Sequence, residues 1–385
     1  LRVAVGHDSR ISADRISACL KRVFLRYGVH MLDCGLASTP SMFMATMDLP
    51  CDCSVQITAS HHPFHRNGLK FFTGEGGLDS PDITEILQGA QENAKPGVLR
   101  EGVYERVGYM STYAERLRKT IQEGVRAEEY EHPLHGFHIV VDAGNGAGGF
   151  FAERVLAPLG ADTAGSRYLD PDGRFPNHVP NPELPEAMDS IREAVLESHA
   201  DFGVIFDTDV DRAGAVLSNG EELNRNRLIA LISAILLREH PGTAIVTDSI
   251  TSTGLAEFIA AHGGVHRRFR RGYRNVINEA LRLNAAGQDC QLAIETSGHA
   301  ALKENYFLDD GAYLVTRFLM EIAAGRSLES LLEGLYEPVE SREFRLKILA
   351  EDFRAAGTAV LDSLAEYAKE QPGWSIAPDN CEGVR

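Results

Sequence analysis

The sequence is poor in cysteine, and its few cysteines form no disulfide framework. The six lie at positions 19, 34, 51, 53, 290 and 381, a scattered pattern that fits a reducing compartment, so a cytoplasmic location is expected. No signal peptide is recognisable, and no apolar run reaches the length that spans a bilayer. A membrane partner is therefore not expected.

Basic residues are also in short supply. The chain has 38 Lys and Arg against 55 Asp and Glu, a formal net charge of −17. That balance argues against nucleic acid or an anionic membrane surface as a partner, because affinity for either rests on Lys and Arg. Any anionic substrate must instead meet a local basic pocket. Residues 266–274 are the one dense positive run, and Arg271 and Arg274 are its candidate phosphate contacts; a solvated charge run is the competing interpretation.

Three stretches share one pattern of apolar strand, polar turn, amphipathic helix and glycine break. The strands and turns are predicted at 3–10, 139–146 and 244–250, and the helices at 18–24, 151–159 and 255–261. Strands alternating with helices indicate α/β units with parallel pairing. A length of 385 residues is compatible with two to four domains.

The remaining segments complete the predicted architecture. A helix over 111–121 connects the first two units, and the chain after 341 is predicted as a strand (344–348) followed by a helix (353–367). We therefore predict an α/β protein with three similar α/β/α domains containing mixed sheets, and a partial C-terminal α+β domain. The predicted boundaries are 1–108, 109–223, 224–337 and 338–385.

The first candidate site follows a predicted strand at 54–58. Ser60 and His61 lie on the loop after it, and Asn67-Gly68 is a tight-turn dipeptide that predicts a second, returning strand carrying Lys70 back toward Ser60. A hydroxyl, an imidazole and an ammonium at one loop suit phosphoryl transfer. Two alternatives stay open: an exposed polar hairpin, and a zinc site that uses Cys51, Cys53 and the nearby histidines.

The second candidate site follows the apolar run 203–206. Asp207, Asp209 and Asp211 alternate along a loop and Arg212 adjoins them. Oxygen-only ligands select a hard cation, so Mg²⁺ is the predicted guest, with an exposed acidic turn as the alternative. An EF-hand is excluded, because its sixth position would be Arg212 and its twelfth Ser218.

A different enzyme class also fits this loop. An apolar strand followed by Asp-x-Asp resembles the nucleophile motif of haloacid-dehalogenase-like phosphatases. In that interpretation Asp207 is phosphorylated, Asp209 is the acid/base, and Asp309-Asp310 serves as the later acidic motif.

Two further segments contain polar residues in irregular chain. Glu295, Ser297 and His299 follow a predicted strand and suit hydrogen bonding to sugar hydroxyls and phosphate, although a simple turn explains them too. Residues 172–183 hold three prolines and one glycine, which makes that segment irregular.

Taken together, four ordered motifs resemble the α-D-phosphohexomutase family, which includes phosphoglucomutases, phosphomannomutases and phosphoglucosamine mutases. They are the serine loop (58–63 with 67–70), the irregular segment (172–183), the acidic loop (207–212) and the Glu-x-Ser-Gly-His loop (295–299). The resemblance covers nearly the whole chain.

The resemblance implies a four-domain enzyme whose first three domains are alike. A phosphorylated Ser60 would exchange its phosphoryl group with a hexose phosphate through a bound hexose 1,6-bisphosphate, and the protein would be a monomer or dimer. It further implies roles for the site residues: Ser60, Asp207, Asp209 and Asp211 around Mg²⁺; Lys70 as acid/base; His61 and Arg212 at the phosphoryl site; Glu295 and Ser297 at the sugar; and Arg274 at a substrate phosphate. His299 and Arg271 are further substrate-binding candidates, from the imidazole and from the dense basic run.

The sequence departs from the family pattern in several places. His62 stands where Asn is usual, Ile294 where Gly is usual, and Thr208 and Val210 replace two glycines that allow positive φ. The family's N-terminal arginine segment and C-terminal phosphate loop have no counterpart here; a protein ending at Arg385 is expected to bind substrate phosphate weakly. Thr296 favours glucose or mannose phosphate over glucosamine phosphate as substrate. A non-catalytic phosphosugar-binding relative is the further alternative.

Overall fold

A computed structural model describes residues 1–92, 99–340, 342, 344 and 346–385. Within these residues lie three sheets of six, four and five strands, each flanked by helices. The predicted α/β class and mixed sheets are therefore confirmed. The domain boundaries stay a prediction.

The first sheet is mixed, and β1 lies near its centre. Its strands are β1 (Arg2–His7), β2 (His30–Leu36), β3 (Cys53–Ile57), β4 (Leu69–Thr73), β5 (Gly76–Gly77) and β6 (Val103–Arg106), in the order β5-β4-β3-β1-β2-β6. The helices are α1 (Ala13–Arg26), α2 (Thr39–Asp48) and α3 (Ser80–Gln91). Strands β1, β2, β3 and β6 are parallel, whereas β4 returns antiparallel to β3 with Lys70 opposite Gln56. The predicted returning strand is confirmed.

The second sheet has the order β10-β9-β8-β7. Its strands are β7 (Ile139–Asp142), β8 (Phe202–Phe206), β9 (Ala213–Leu217) and β10 (Glu222–Leu223), and its helices are α4 (Tyr109–Val125) and α5 (Pro185–Ser198). The helix predicted at 151–159 is confirmed as a helical segment, in which residues 151–156 form a π-helix and 157–159 a 3-10 turn. Pro158 has no N–H to continue an α-helical ladder, and Gly160 at φ 90° ends the turn.

The third sheet has the order β12-β11-β13-β14-β15. Its strands are β11 (Ala244–Asp248), β12 (Val265–Phe269), β13 (Cys290–Ile294), β14 (Ala300–Leu302) and β15 (Leu308–Asp309), and its helices are α6 (Arg225–Glu239), α7 (Thr253–Ala261), α8 (Tyr273–Ala285) and α9 (Gly311–Ala323). The dense basic run at 266–274 thus occupies β12, the turn after it and the start of α8.

One apolar core joins the three sheets. Helix α4, the predicted connector, buries Tyr113 and Leu117 and packs against α9. The same cluster takes in Phe43 from the first sheet region, Phe206 from β8 and Phe318 from α9. Because close-packed side chains resist relative movement, the shared core fixes how the loops at the three sheets face one another.

The C-terminal part is only partly as predicted. The strand predicted at 344–348 is wrong for residues 344 and 346–348, which form no strand, and residue 345 lies outside the described residues. Phe344 and Leu346 are exposed, and without a neighbouring strand their backbone has no ladder to join. The predicted helix is confirmed as α10 (Phe353–Glu370), whose first turn is capped by Asp352. None of the helices in the described part of the chain is both long and apolar enough to cross a membrane.

Candidate functional site

Loops after strands of all three sheets meet in one place. Ser60 follows β3, Asp207 follows β8 and His299 lies between β13 and β14. The Ser60 hydroxyl donates to Asp207 Oδ2 at 3.1 Å across 147 residues of sequence, and Arg212 and His299 form a backbone bridge. Carboxyl ends of parallel strands are where α/β proteins bind ligands, so this junction is the candidate active site.

Ser60 is held in a strained and well-defined position. Its backbone has φ 50°, which is uncommon for a residue other than glycine and marks functional loops. Its N–H donates to Thr58 Oγ1 at 2.9 Å. Its hydroxyl lies 3.4 Å from Arg212 Nη2 and 3.4 Å from His61 Nδ1. The structure therefore brings Ser60, His61 and Arg212 together.

The three aspartates form a buried acidic cluster. Asp207, Asp209 and Asp211 each offer an oxygen, and these oxygens lie within 4.8 Å of one another. Asp209 Oδ1 and Asp211 Oδ1 are buried and have no hydrogen-bond partner among the described residues. Buried, unpartnered carboxylate oxygens are the ligands that a hard divalent cation selects. The residues present therefore fit a metal ion.

Lys70 and Arg212 form ion pairs with this acidic cluster. Lys70 Nζ lies 2.9 Å from Asp209 Oδ2 and 2.6 Å from Asp211 Oδ2, because the β3–β4 pairing turns its side chain toward the cluster. Burial acts to lower the pKa of Lys70, but the two carboxylates outweigh burial and raise it well above its ordinary value. Arg212 Nη2 lies 3.1 Å from Asp207 Oδ2.

The pKa values of two carboxyl groups in the cluster shift in opposite directions. Burial and the charge of Asp211 raise the pKa of Asp207 well above its ordinary value, although Arg212 opposes the shift. Burial also acts to raise the pKa of Asp211, but Lys70 and Arg212 together hold it below its ordinary value. The cluster therefore carries strong internal repulsion that positive charge relieves.

The structure adds Thr39, which the sequence did not indicate, and it places Asp309, noted in the sequence for the phosphatase interpretation alone, beside the acidic cluster. Thr39, at the start of α2, donates through its hydroxyl to Asp209 Oδ2, and its N–H donates to the Asp209 carbonyl at 2.8 Å. Asp309 Oδ2 lies 3.7 Å from His299 Nε2 and groups with Asp211 and His299 as a second set of possible ligands. Ser38 caps the start of α2 and Pro40 lies in its first turn, a pattern that can predict a helix start, but no local signal indicates the contact with Asp209.

The Glu-x-Ser-Gly-His loop lies against the acidic cluster. His299 Nε2 is 3.8 Å from Asp211 Oδ1, and its Nδ1 is 2.8 Å from Ser297 Oγ. Glu295 accepts the Gly272 N–H at 2.6 Å. Burial raises the pKa of Glu295 to about 7 against the opposing Gly272 hydrogen bond. Burial, with Arg212 and Lys70, lowers the pKa of His299 well below its ordinary value.

The two predicted arginine contacts lie at the edge of the site. Arg274 lines a groove with Lys70, Asp211 and Tyr273 between the first and third sheets. The Arg271 side chain is about half exposed, with Nε 3.9 Å from Asp248 Oδ2. Neither touches Ser60 in the described contacts, so any role would be toward substrate.

The predicted zinc alternative is wrong. In the described ranges the groups of residues that could hold a metal are Asp207–Asp209–Asp211 and Asp211–His299–Asp309, and Cys51 and Cys53 belong to neither. Burial raises the pKa of both thiols, which disfavours the thiolate that zinc requires.

Known proteins similar to this chain agree on one family. Three successive domain families match: "Phosphoglucomutase/phosphomannomutase, alpha/beta/alpha domain I" at residues 1–96, domain II at 111–220 and domain III at 224–339. A phosphomannomutase/phosphoglucomutase of Pseudomonas syringae is 31% identical over 351 residues, covering 90% of this chain and 71% of the relative. A phosphoglucomutase of Neisseria meningitidis serogroup A is 29% identical over 375 residues, covering 96% and 76%.

A solved structure shares the fold along the whole chain. It is a phosphoglucomutase/phosphomannomutase family protein of Burkholderia thailandensis, with a TM-score of 0.82 and 27% identity, and the match covers 100% of this chain and 79% of that protein.

Proposed function

This chain belongs to the phosphoglucomutase/phosphomannomutase family, and we propose that it interconverts hexose 1-phosphate and hexose 6-phosphate through a phosphoserine at Ser60. The observation that carries the proposal is the 3.1 Å contact between the Ser60 hydroxyl and Asp207 of the buried acidic cluster. The names of its relatives, phosphoglucomutase and phosphomannomutase/phosphoglucomutase, favour glucose and mannose phosphates as substrates. A hexose 1,6-bisphosphate is the proposed bound intermediate.

Mg²⁺ is the proposed cofactor, held by Asp207, Asp209, Asp211 and an oxygen of the phosphorylated Ser60. When bound, it would neutralise charge on the phosphoryl group in transfer. Lys70 keeps a proton at Nζ beside Asp209 and Asp211 and is the proposed acid/base.

His61 and Arg212 lie next to Ser60 and are the proposed groups that assist phosphoryl transfer at its hydroxyl. Burial and Arg212 lower the pKa of His61 to about 4, so its imidazole is neutral at pH 7. Its Nδ1 lies 3.4 Å from the oxygen of the serine hydroxyl, within reach of a hydrogen bond. Arg212 Nη2 lies at the same distance from Ser60 Oγ, where its charge would stabilise a phosphoryl oxygen.

The third-sheet loop is the proposed sugar site. Glu295 and Ser297 offer a carboxylate and a hydroxyl suited to vicinal sugar hydroxyls, with His299, Arg271 and Arg274 placed to receive the distal phosphate. A mutase must bind its bisphosphate in two orientations, so the same residues would serve the sugar in both.

The test combines an activity assay with mapping of the phosphorylated residue. The full chain is incubated with glucose 1,6-bisphosphate and Mg²⁺, and glucose 1-phosphate, mannose 1-phosphate and glucosamine 1-phosphate are each tested for conversion to the 6-phosphate. We expect an acid-stable phosphate on Ser60, isomerisation of the glucose and mannose esters, and neither in Ser60→Ala.

The phosphatase alternative predicts a different adduct. An acyl phosphate on Asp207 would be released by hydroxylamine and would survive in Ser60→Ala; its detection would overturn the proposal. The geometry disfavours that adduct, because Asp207 Oδ2 already accepts from Ser60 and Arg212 and Oδ1 accepts the Arg212 N–H at 3.3 Å. Saturable binding of sugar phosphate without isomerisation would instead favour the non-catalytic relative.

A further inference from the structure

The irregular segment 172–183, here named the bridging loop, contacts one residue that supports the serine loop, Arg10, and one that supports the acidic cluster, Arg212. The proposed mechanism gives no role to the bridging loop itself. It leaves the second sheet region near Asp172 and reaches α5 at Pro185. One end packs on residues 9–11, which follow β1 and include Arg10 beneath the serine loop, and the other end contacts Arg212.

Beneath the serine loop, one buried side chain holds several backbone groups. Arg10 is only 2% exposed. Its guanidinium donates to the carbonyls of Ser60, Pro63 (2.8 Å) and Arg66 (3.2 Å), and its Nε lies 3.1 Å from Asp8 Oδ2. Because a planar guanidinium presents its donors in fixed directions, these contacts set the path of the loop from both sides of His61.

The bridging loop in turn packs on Arg10. The Phe175 ring lies 5.4 Å from Arg10 Cζ, a cation–π contact, and Phe175 adopts φ 49°. At Gly173 a Cβ atom would lie 2.3 Å from the Ser9 carbonyl oxygen and 2.5 Å from Arg10 Cα. Only glycine permits this approach of two backbones. The bridging loop thus packs directly against the segment that contains Arg10.

The other end of the bridging loop contacts the arginine of the acidic loop. Arg212 Nη1 donates to Asn181 Oδ1 at 3.1 Å and to Glu183 Oε2 at 3.4 Å, while its Nε and Nη2 contact Asp207 Oδ2. One short segment therefore contacts the supports of both the serine and the acidic cluster.

We propose that Arg10, Gly173 and Phe175 are positioning residues that fix Ser60 relative to the acidic cluster, with the bridging loop as the link between the two sheets. The inference rests on the proposed phosphoserine function. A displacement of about 1 Å in a reacting group lowers a rate by about 100-fold. Substrate contacts on the third sheet are untouched by these residues, so their loss should lower kcat and leave KM near its original value.

The test uses Phe175→Leu, Gly173→Ala and Arg10→Lys in the full chain. The matched control is Arg174→Ala, because Arg174 lies between the two test positions, its side chain is 73% exposed, and the contacts described for it are with Asp172. We expect kcat to fall by about 10- to 100-fold in the test variants, KM to change less than about threefold, and the control to match the wild type. Lysine should not rescue position 10, because one ammonium cannot reach Asp8 and three carbonyls together.

A second measurement does not depend on activity. Amide hydrogen exchange of residues 60–66 should accelerate in Phe175→Leu and Arg10→Lys and stay unchanged in Arg174→Ala. If the wild-type protein has no isomerase activity, the proposed function is wrong. The exchange data would still show whether Phe175 and Arg10 hold residues 60–66 in place. Variants that retain wild-type kcat, or that lose stability with no faster exchange at 60–66, would overturn the inference. If Arg10→Lys does not fold, Phe175→Leu decides the question.

Discussion

Replacing Lys70 by Met should make the protein dependent on a divalent cation for its stability. The ammonium lies 2.6 Å from Asp211 and 2.9 Å from Asp209, whose side chains are 4% and 0% exposed. Methionine keeps most of the apolar stem and removes the ammonium, both its charge and its two hydrogen bonds to Asp209 and Asp211. Asp207, Asp209 and Asp211 would then face each other, and among the described residues Arg212 would be the arginine still paired with the cluster, through Asp207.

The expected loss follows from the burial of the two carboxylates that stay behind, since the Lys70 side chain itself is 24% exposed. Removing one partner of a buried ion pair costs about 3–5 kcal/mol, because the other charge stays buried and uncompensated. A bound cation reverses this loss: a ligand at 100 times its Kd adds about 2.7 kcal/mol to the free energy of unfolding. Without the opposing ammonium, the Kd for Mg²⁺ should fall by at least about tenfold, equivalent to about 1.4 kcal/mol.

Urea unfolding in EDTA and in Mg²⁺, with calorimetric titration of Mg²⁺, measures both effects. The control is Lys303→Met, which removes an equivalent charge from the exposed pair with Asp289, whose side chains are 41% and 47% exposed. Exposed pairs contribute about 0–1 kcal/mol, so this variant should change little. Equal stability of the two variants in EDTA, or equal stabilisation of both by Mg²⁺, would refute the reasoning.

Two further predictions concern pH. Burial raises the pKa of Glu295 to about 7, so the carboxyl is protonated below that pH and the wild-type KM for glucose 1-phosphate should rise as pH falls from 8 to 6. Glu295→Gln should show a smaller rise, the part due to the substrate phosphate, whose second pKa is about 6. An equal rise in the two proteins would contradict the assignment. Burial acts to raise the pKa of Glu321, but the hydrogen bonds and charges of Arg238 and Arg326 outweigh burial. The pKa of Glu321 is therefore lowered from 4.5 to about 2. Glu321 thus contributes stability above pH 4.5, on the order of 3 kcal/mol, that is lost as pH falls toward 2. Urea midpoints should show a smaller loss over that range in Glu321→Gln, and an unchanged loss would contradict the assignment.

Local signals in the sequence were sufficient for the parts of the site that depend on one strand and its loop. The alternation before Ser60 and the Asn67-Gly68 turn predicted the β3–β4 pairing, and that pairing alone brings Lys70 to the cluster side of the sheet. The meeting of Ser60 with Asp207 lies beyond such signals, because it depends on how two sheets pack through a shared core. Thr39 was missed for the same reason: its contact with Asp209 crosses between sheets.

The differences between the predicted and observed elements have local physical causes. The apolar period at 151–159 correctly placed a buried helical segment, but periodicity does not distinguish π from α geometry, and Pro158 ends the ladder early. At 344–348 the alternation of Phe344 and Leu346 predicted a strand, yet a strand needs a partner to satisfy its backbone. None is present beside the described residues of that segment.

The acidic loop adopts a positive φ at a position occupied by a β-branched residue. Val210 stands where the family usually has glycine, and its backbone nevertheless adopts φ 68°, a strained conformation for a β-branched residue that costs on the order of 1–3 kcal/mol. The valine side chain is fully buried in the core that joins the sheets, and this burial stabilises the fold by about 1.5–3 kcal/mol. The Val210 N–H and carbonyl are also held, by the Asp207 carbonyl at 3.4 Å and the Gly311 N–H at 3.1 Å. Burial and these two bonds offset the strain, so the three carboxylates converge without the glycine, and the loop can be inferred from its ligand residues better than from its turn residues.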